Sequence, residues 1–154
     1  MNAELHLLTP KGERPVWGGN LQPTNFVSEL LVEIPLLGRI TAGLPIEAIE
    51  DREMISVPAN MVRKDTYALR VVGESMVEDN IQDGDIIVVE RKESAANGQS
   101  VVAMINGEEV TLKKLYIEKE GVRLQPANST MSPIFLRNED VKILGIVSAI
   151  IRTP

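Results

Sequence analysis

The chain has no cysteine and a single histidine, His6, close to its start. Without cysteine there can be no disulfide, no thiol nucleophile and no thiolate metal site. One histidine cannot build a multi-histidine zinc site, and it makes a Ser-His-Asp triad a poor expectation. Aromatic residues are scarce as well: Trp17, Tyr67, Tyr116, Phe26 and Phe135. That is too few for a base-stacking platform. Basic residues number 16 against 22 acidic ones, for a net charge of −6. A free-standing nucleic-acid binder normally carries a basic surplus. Long apolar runs are missing too. The most apolar window, 141–151, is far shorter than the ~20 residues a membrane-spanning helix requires. Residues 1–25 lack the apolar core of a secretory leader. The expectation is a soluble, acidic, cytoplasmic protein that needs no metal and no cofactor.

What is present suits one domain. The chain has 154 residues, 44% of them hydrophobic and 25% charged, ordinary values for a globular protein. The chain divides near residue 34. Residues 1–33 carry turn and breaker signals (Thr9-Pro-Lys-Gly12, Pro15, Gly18-Gly-Asn20, Pro23) without a sustained period. They read as an irregular N-terminal arm or linker, with a short helical piece expected around Phe26–Val32. From 34 to 154 the signal is β. The stretches 67–72, 85–90, 100–105 and 109–115 are strand-length and rich in β-branched residues. Asp83-Gly84 precedes the second, Asn97-Gly98 precedes the third, and Asn106-Gly107 joins the third to the fourth. Asn-Gly between two apolar runs is a strong hairpin signal. Further strand signals follow at 122–125, 134–137 and 141–151, the last expected to leave an open sheet edge. No helical stretch of useful length separates them. The predicted fold is therefore mostly β, a compact antiparallel or mixed β domain.

Ser75 is a candidate nucleophile. It lies in Gly73-Glu-Ser-Met76, directly after the strand pattern 67–72. A glycine permits a tight turn that presents a serine and nearby backbone N–H groups, although a lone Gly-x-Ser is usually only a turn. The nucleophile elbow Gly-x-Ser-x-Gly is not met, because Val77 occupies its last position. No serine is followed three places later by lysine, so Ser-x-x-Lys is absent too. With histidine excluded, the available base is a lysine whose pKa has been lowered by burial. Lys113 and Lys114 lie in a strand pattern and so face opposite ways. Lys113 shares a face with Thr111 and Leu115; Lys114 shares one with Val110, Leu112 and Tyr116. Periodicity does not choose between them, and two solvated lysines on an edge strand is the plain reading.

Several motifs lie in register: Gly-Glu-Ser-Met at 73–76, Asp-Gly-Asp at 83–85, Asn-Gly-Gln at 97–99, Thr-Leu-Lys-Lys-Leu at 111–115 and Leu-Gln-Pro-Ala-Asn at 124–128. In that order and spacing, with Pro35-Leu-Leu-Gly-Arg-Ile-Thr-Ala-Gly-Leu-Pro45 upstream, the chain resembles the LexA/UmuD family of self-cleaving serine–lysine peptidases over residues 34–152. The resemblance implies the β-clip fold, Ser75 as nucleophile, Lys113 as general base and Lys114 as a basic position without a catalytic role. It implies Ala42-Gly43 as the bond cut, and the backbone N–H groups of Ser75 and Glu74 as the oxyanion hole. It further implies a homodimer, stimulation of cleavage by an activated, RecA-type recombinase filament, and the SOS-response role of a transcriptional repressor. DNA would be read only through an N-terminal domain that this chain does not show. A UmuD-like translesion polymerase accessory subunit and a catalytically idle dimerisation module are the alternatives. The spacing from Ser75 to Lys113 is one residue longer than the resemblance leads one to expect, and the hairpin turn 106–109 is the cheapest place for the extra residue.

Overall fold

The computed structural model describes residues 4–7, 16–17, 30–40 and 53–152. Among the described residues, eleven strands run in chain order as β1 Glu4–Leu7, β2 Val16–Trp17, β3 Leu31–Ile40, β4 Glu53–Pro58, β5 Thr66–Val71, β6 Ile86–Glu90, β7 Ser100–Ile105, β8 Glu109–Glu118, β9 Gly121–Gln125, β10 Ile134–Leu136 and β11 Val141–Arg152. They form one sheet in the order β10-β9-β8-β7-β11-β6-β5-β3-β4, with β1 paired to β11 and β2 to β1. Every pairing is antiparallel except β3 with β5. The mixed, mostly β class expected above is the class observed. Among the described residues no helix is long and apolar enough to cross a membrane.

The runs of β-branched residues become strands because their branched side chains pack well on a pleated, buried surface. The Asn-Gly hairpin forms as expected. Asn106 and Gly107 have φ of +53° and +70°, and Glu108 N–H closes onto the Ile105 carbonyl at 3.0 Å. Both residue types tolerate the left-handed region that this turn requires.

Three expectations need adjusting. Leu31 and Val32 are strand, not helix: Leu31 pairs with Pro58 and Val32 with Val57, so sheet pairing overrides a weak local preference. The rest of the expected helical piece, 26–30, includes no described helix residue, and 26–29 lie outside the described residues. The segment expected to be irregular also contains β1, which pairs antiparallel with the end of β11. Lastly, β11 is not a strand at the margin of the sheet: it lies between β7 and β6, and among the described residues 141–145 and 147–148 are paired along one side alone. It runs for 12 residues, long enough to serve several neighbours in succession. Its first half pairs with β7, its second half with β6, and 149–152 also pair with β1.

Two register shifts in β11, at Ile143/Gly145 and Val147/Ala149, accompany this change of neighbours. A bulge resets which side chains face which side. Leu144, Val147 and Ile150 thus enter the central cluster with Tyr67, Leu69, Met76, Ile87, Val89 and Leu112. Ala149 joins a second cluster with Ile34, Leu36, Val57 and Val88, and Ile143 and Ile146 pack on a third with Val101, Ala103, Leu115 and Leu124. The strand end is fastened by Arg152, which donates from Nε and Nη2 to the two carboxylate oxygens of Asp85, both at 2.8 Å. Asp85 is buried.

Gly145 sits where β11 crosses from one neighbour to the other. A methyl group there would run into Val89 Cγ1 and stand 2.7 Å from the Glu90 carbonyl oxygen. Gly145→Ala is expected to destabilise the domain by about 1–3 kcal/mol, the usual range for overpacking. Urea denaturation checks this; unchanged stability would mean that β11 has more room at the crossing than its geometry implies.

Candidate active site

The strand β5 ends at Val71, and the chain turns through Gly73 at φ +94°. That value suits glycine, since a Cβ makes this region costly for other residues. Asp83 Oδ1 accepts the Gly73 N–H at 2.8 Å and holds the turn from one side. Met76 is 1% exposed and anchors the turn in the central core. Ser75, between them, is half-buried and faces the strand β8.

On β8 the side chains alternate between two faces, and from Val110 to Lys113 both faces are buried. Val110 and Leu112 enter the central cluster. Thr111, Lys113 and Leu115 are all buried and share the opposite face, where Lys113 lies across from Val101 on β7. Val101 has no exposed surface, so one flank of the lysine is dry. The amine Nζ of Lys113 lies 3.2 Å from Ser75 Oγ, 2.6 Å from Thr111 Oγ1 and 3.1 Å from the Leu112 carbonyl oxygen. The Ser75 hydroxyl donates to the same Leu112 carbonyl at 3.4 Å. That bond is long, and a hydroxyl rotates freely, so its hydrogen can turn onto Nζ. The separation lies within the reach expected of a general base.

Burial pushes the Lys113 amine below its ordinary pKa of 10.5, and the Glu109 carboxylate opposes this by favouring the charged form. Desolvation prevails for a reason of scale. Taking an ion out of water costs several kcal/mol, whereas Glu109 is exposed at the strand start, and attraction to an exposed charge is worth about 0–1 kcal/mol. Lys114, on the other face, reaches Asp79 Oδ2 at 3.0 Å in an ion pair. The geometry thus separates two lysines that periodicity left equivalent: one approaches the serine, and its neighbour pairs with a carboxylate.

A groove of about 330 Å³ opens over these groups, walled by Val71, Val72, Glu74, Ser75, Val110, Leu112, Lys113 and Met131. Among the described residues, the N–H groups of Glu74 and Ser75 donate no hydrogen bond. Ala42 and Gly43 lie outside the described residues. The strand that leads to them, β3, ends with Ile40 paired to Val71, four positions before Ser75. Sequence reasoning missed the supports of the turn. Asn128 Nδ2 bonds the Glu74 carbonyl at 2.9 Å, and the Glu78 N–H bonds the Ala127 carbonyl at 2.8 Å. The only advance signal was that Ala127-Asn128 closes one of the motifs noted above.

A β domain with a serine on a glycine turn and a buried lysine within reach of it defines a class, and comparison with known proteins gives the same class. The Peptidase S24-like family pattern matches residues 35–148. The chain belongs to this family, and its β domain is of the LexA/UmuD type. Its relatives include the LexA repressor of Syntrophobacter fumaroxidans, 46% identical over 122 residues, which make up 79% of this chain and 59% of the relative. The LexA repressor of Clostridioides difficile is 46% identical over 124 residues with the same coverage. That of Pseudothermotoga lettingae is 48% identical over 124 residues, 79% of this chain and 62% of the relative. The chain thus spans about 59–62% of the length of these relatives.

The buried amine has a consequence for stability. Its pKa is lower folded than unfolded, so at low pH both states are protonated and the fold carries the full penalty of a buried ammonium. As pH rises through the folded value towards 10.5, the unfolded chain holds the extra proton and the folded chain does not. Stability therefore rises with pH in that window. In urea denaturation from pH 7 to 10, the chain with Lys113 should gain on Lys113→Met by at most about 1.4 kcal/mol per pH unit. Ser75→Ala is introduced in both chains to exclude serine chemistry. A difference independent of pH would mean that folding leaves the amine as basic as water does.

Proposed function

We propose that this chain is the self-cleaving, dimer-forming part of a LexA-like repressor, with Ser75 as nucleophile, Lys113 as general base and Ala42-Gly43 as the bond cut. The observation that carries this reading is the 3.2 Å approach of a desolvated lysine amine to a serine hydroxyl, in a chain of the Peptidase S24-like family. Neutral Lys113 takes the proton from Ser75 Oγ. The oxygen attacks the Ala42 carbonyl carbon, and the N–H groups of Glu74 and Ser75 receive the developing oxyanion. The carbon–nitrogen bond to Gly43 then breaks, and Lys113 returns its proton to the departing amine. Water, deprotonated by the same lysine, hydrolyses the ester. Thr111 holds the amine in line through its hydroxyl.

The placement of β3 supports the choice of bond. Ile40 is fastened beside Val71, so Ala42 starts two residues from an anchor next to the groove. Glycine at 43 lets the backbone approach a serine closely. Cleavage within one chain has a high effective molarity, so a modest base suffices. The same feature requires restraint, which a conformational equilibrium disfavouring the cleavable arrangement would supply. An activated, RecA-type recombinase filament would shift that equilibrium. Cleavage would part the dimer-forming domain from whatever DNA-reading domain precedes it, which ends repression. The setting is the bacterial cytoplasm during the SOS response to DNA damage.

Incubated at alkaline pH, the chain should yield fragments 1–42 and 43–154, identified by intact mass. Ser75→Ala or Lys113→Ala should each abolish this, and Lys114→Ala should not. The rate should climb about tenfold per pH unit while the ammonium form dominates, then level off as the amine becomes neutral. A rate that is flat from pH 6 to 10 would remove Lys113 from the role of base. Cleavage lost in Lys114→Ala but kept in Lys113→Ala would exchange the two lysines.

A further inference from the structure

Two of the sequence motifs take no part in the chemistry above, yet both touch the turn that carries Ser75. Asp83, from Asp-Gly-Asp, holds the Gly73 N–H at 2.8 Å. Asn128, from Leu-Gln-Pro-Ala-Asn, donates from Nδ2 to the Glu74 carbonyl oxygen at 2.9 Å. The orientation of the Asn128 amide is not arbitrary. Its Oδ1 accepts the Thr130 N–H at 3.0 Å and the Thr130 hydroxyl at 2.7 Å. A backbone N–H can only donate, so the oxygen must face Thr130 and the NH₂ end must face Glu74.

The Glu74 carbonyl belongs to the same peptide unit as the Ser75 N–H. A trans peptide unit is planar, with its C=O and N–H pointing in opposite directions. Whatever holds that oxygen therefore aims that N–H. Without Asn128, the oxygen would keep only the Val77 N–H, at 3.4 Å, beyond the usual range for an N–H···O bond. Gly73, one residue before this unit, is the softest hinge in the turn. The aimed N–H belongs to a residue lining the groove and, among the described residues, donates no hydrogen bond.

We infer that Asn128 is a positioning residue: it fixes the Glu74–Ser75 peptide plane and so aims the Ser75 N–H at the carbonyl oxygen of the peptide bond that Ser75 attacks. The inference rests on the serine chemistry proposed above. One oxyanion donor is worth about 10²–10³ in rate. Losing its aim, while the donor itself remains, should cost about 10–100-fold.

The test compares wild type, Asn128→Ala and Asn128→Asp by the pH profile of self-cleavage. Asn128→Asp is isosteric: it keeps the oxygen that faces Thr130 and puts a carboxylate oxygen against the Glu74 carbonyl. Both variants should lower the plateau rate by about 10–100-fold. In the uncharged Asn128→Ala, the pH at which the rate levels off should not move, because the contacts of Lys113 are untouched. A wild-type plateau in both variants overturns the inference. So does a profile in Asn128→Ala that merely slides to higher pH and recovers the full plateau, since that would place the effect on the lysine. If Asn128→Ala does not fold, Asn128→Asp decides by its plateau. A fluorophosphonate probe, which labels a reactive serine from solution, repeats the comparison without the 41–52 segment as substrate; the same fall in labelling rate is expected, and equal labelling overturns the inference. Cleavage and labelling that persist in Ser75→Ala defeat the underlying serine reading instead. Their loss in Ser75→Ala, combined with wild-type plateaus in both Asn128 variants, defeats only the role of Asn128.

Discussion

A lysine amine inside a β domain is an unfavourable object, and much of the site is arranged around keeping it there. Water would hold the ammonium form; the interior of the sheet does not. Lys113 lies across from Val101, which has no exposed surface, and beside the buried residues Thr111 and Leu115. Its Nζ meets a threonine hydroxyl, a main-chain carbonyl and the Ser75 hydroxyl. These oxygens satisfy the hydrogens of an amine in either protonation state, yet none brings a full negative charge that would hold the proton. Glu109 is the charged group that opposes the effect, and its exposure weakens it. A carboxylate placed among those oxygens would restore the ordinary basicity of lysine and remove the arrangement's chemical meaning.

The contact between lysine and serine joins two parts of the sheet that do not pair with each other. Lys113 rides on β8, beyond β7; Ser75 follows β5, beyond β6. Between them runs β11, the strand that pairs with both β7 and β6. Its bulges let one strand serve two neighbours and feed three clusters of core residues. Gly145 is needed where the crossing brings it against Val89 and the Glu90 carbonyl. At the far end, Arg152 is fastened to Asp85 and also donates to the Asn80 carbonyl at 2.9 Å. The 80–85 loop so gripped contains Asp83, whose carboxylate holds Gly73. A continuous chain of contacts thus runs from the last strand to the turn that presents the serine.

The two adjacent lysines show how little local chemistry says about role. They are the same residue type, one position apart on one strand. The pleat sends Lys113 among buried neighbours and Lys114 towards Asp79, where it forms an ion pair at 3.0 Å. Burial of the strand, rather than the identity of the residue, separates a base candidate from a structural cation.

Much of the strand content was determined by the sequence itself, because pleat alternation, β-branched packing and Asn-Gly turn chemistry act between near neighbours. Strands at 66–71, 86–90, 100–105 and 141–152 fall close to where those signals placed them. The lack of cysteine and the single histidine likewise left serine with lysine as the available pairing, and the motif order pointed to Ser75 and Lys113. Tertiary structure decided the rest. The strand β4 carried too short a pattern to be noticed and exists through its pairing with β3. The place of β11 inside the sheet, the fate of Lys113 against that of Lys114, and the grip of Asn128 on a carbonyl 54 positions earlier all depend on contacts between distant segments. Such contacts are set by how whole strands stack and bury their faces, and no window of neighbouring residues contains that information.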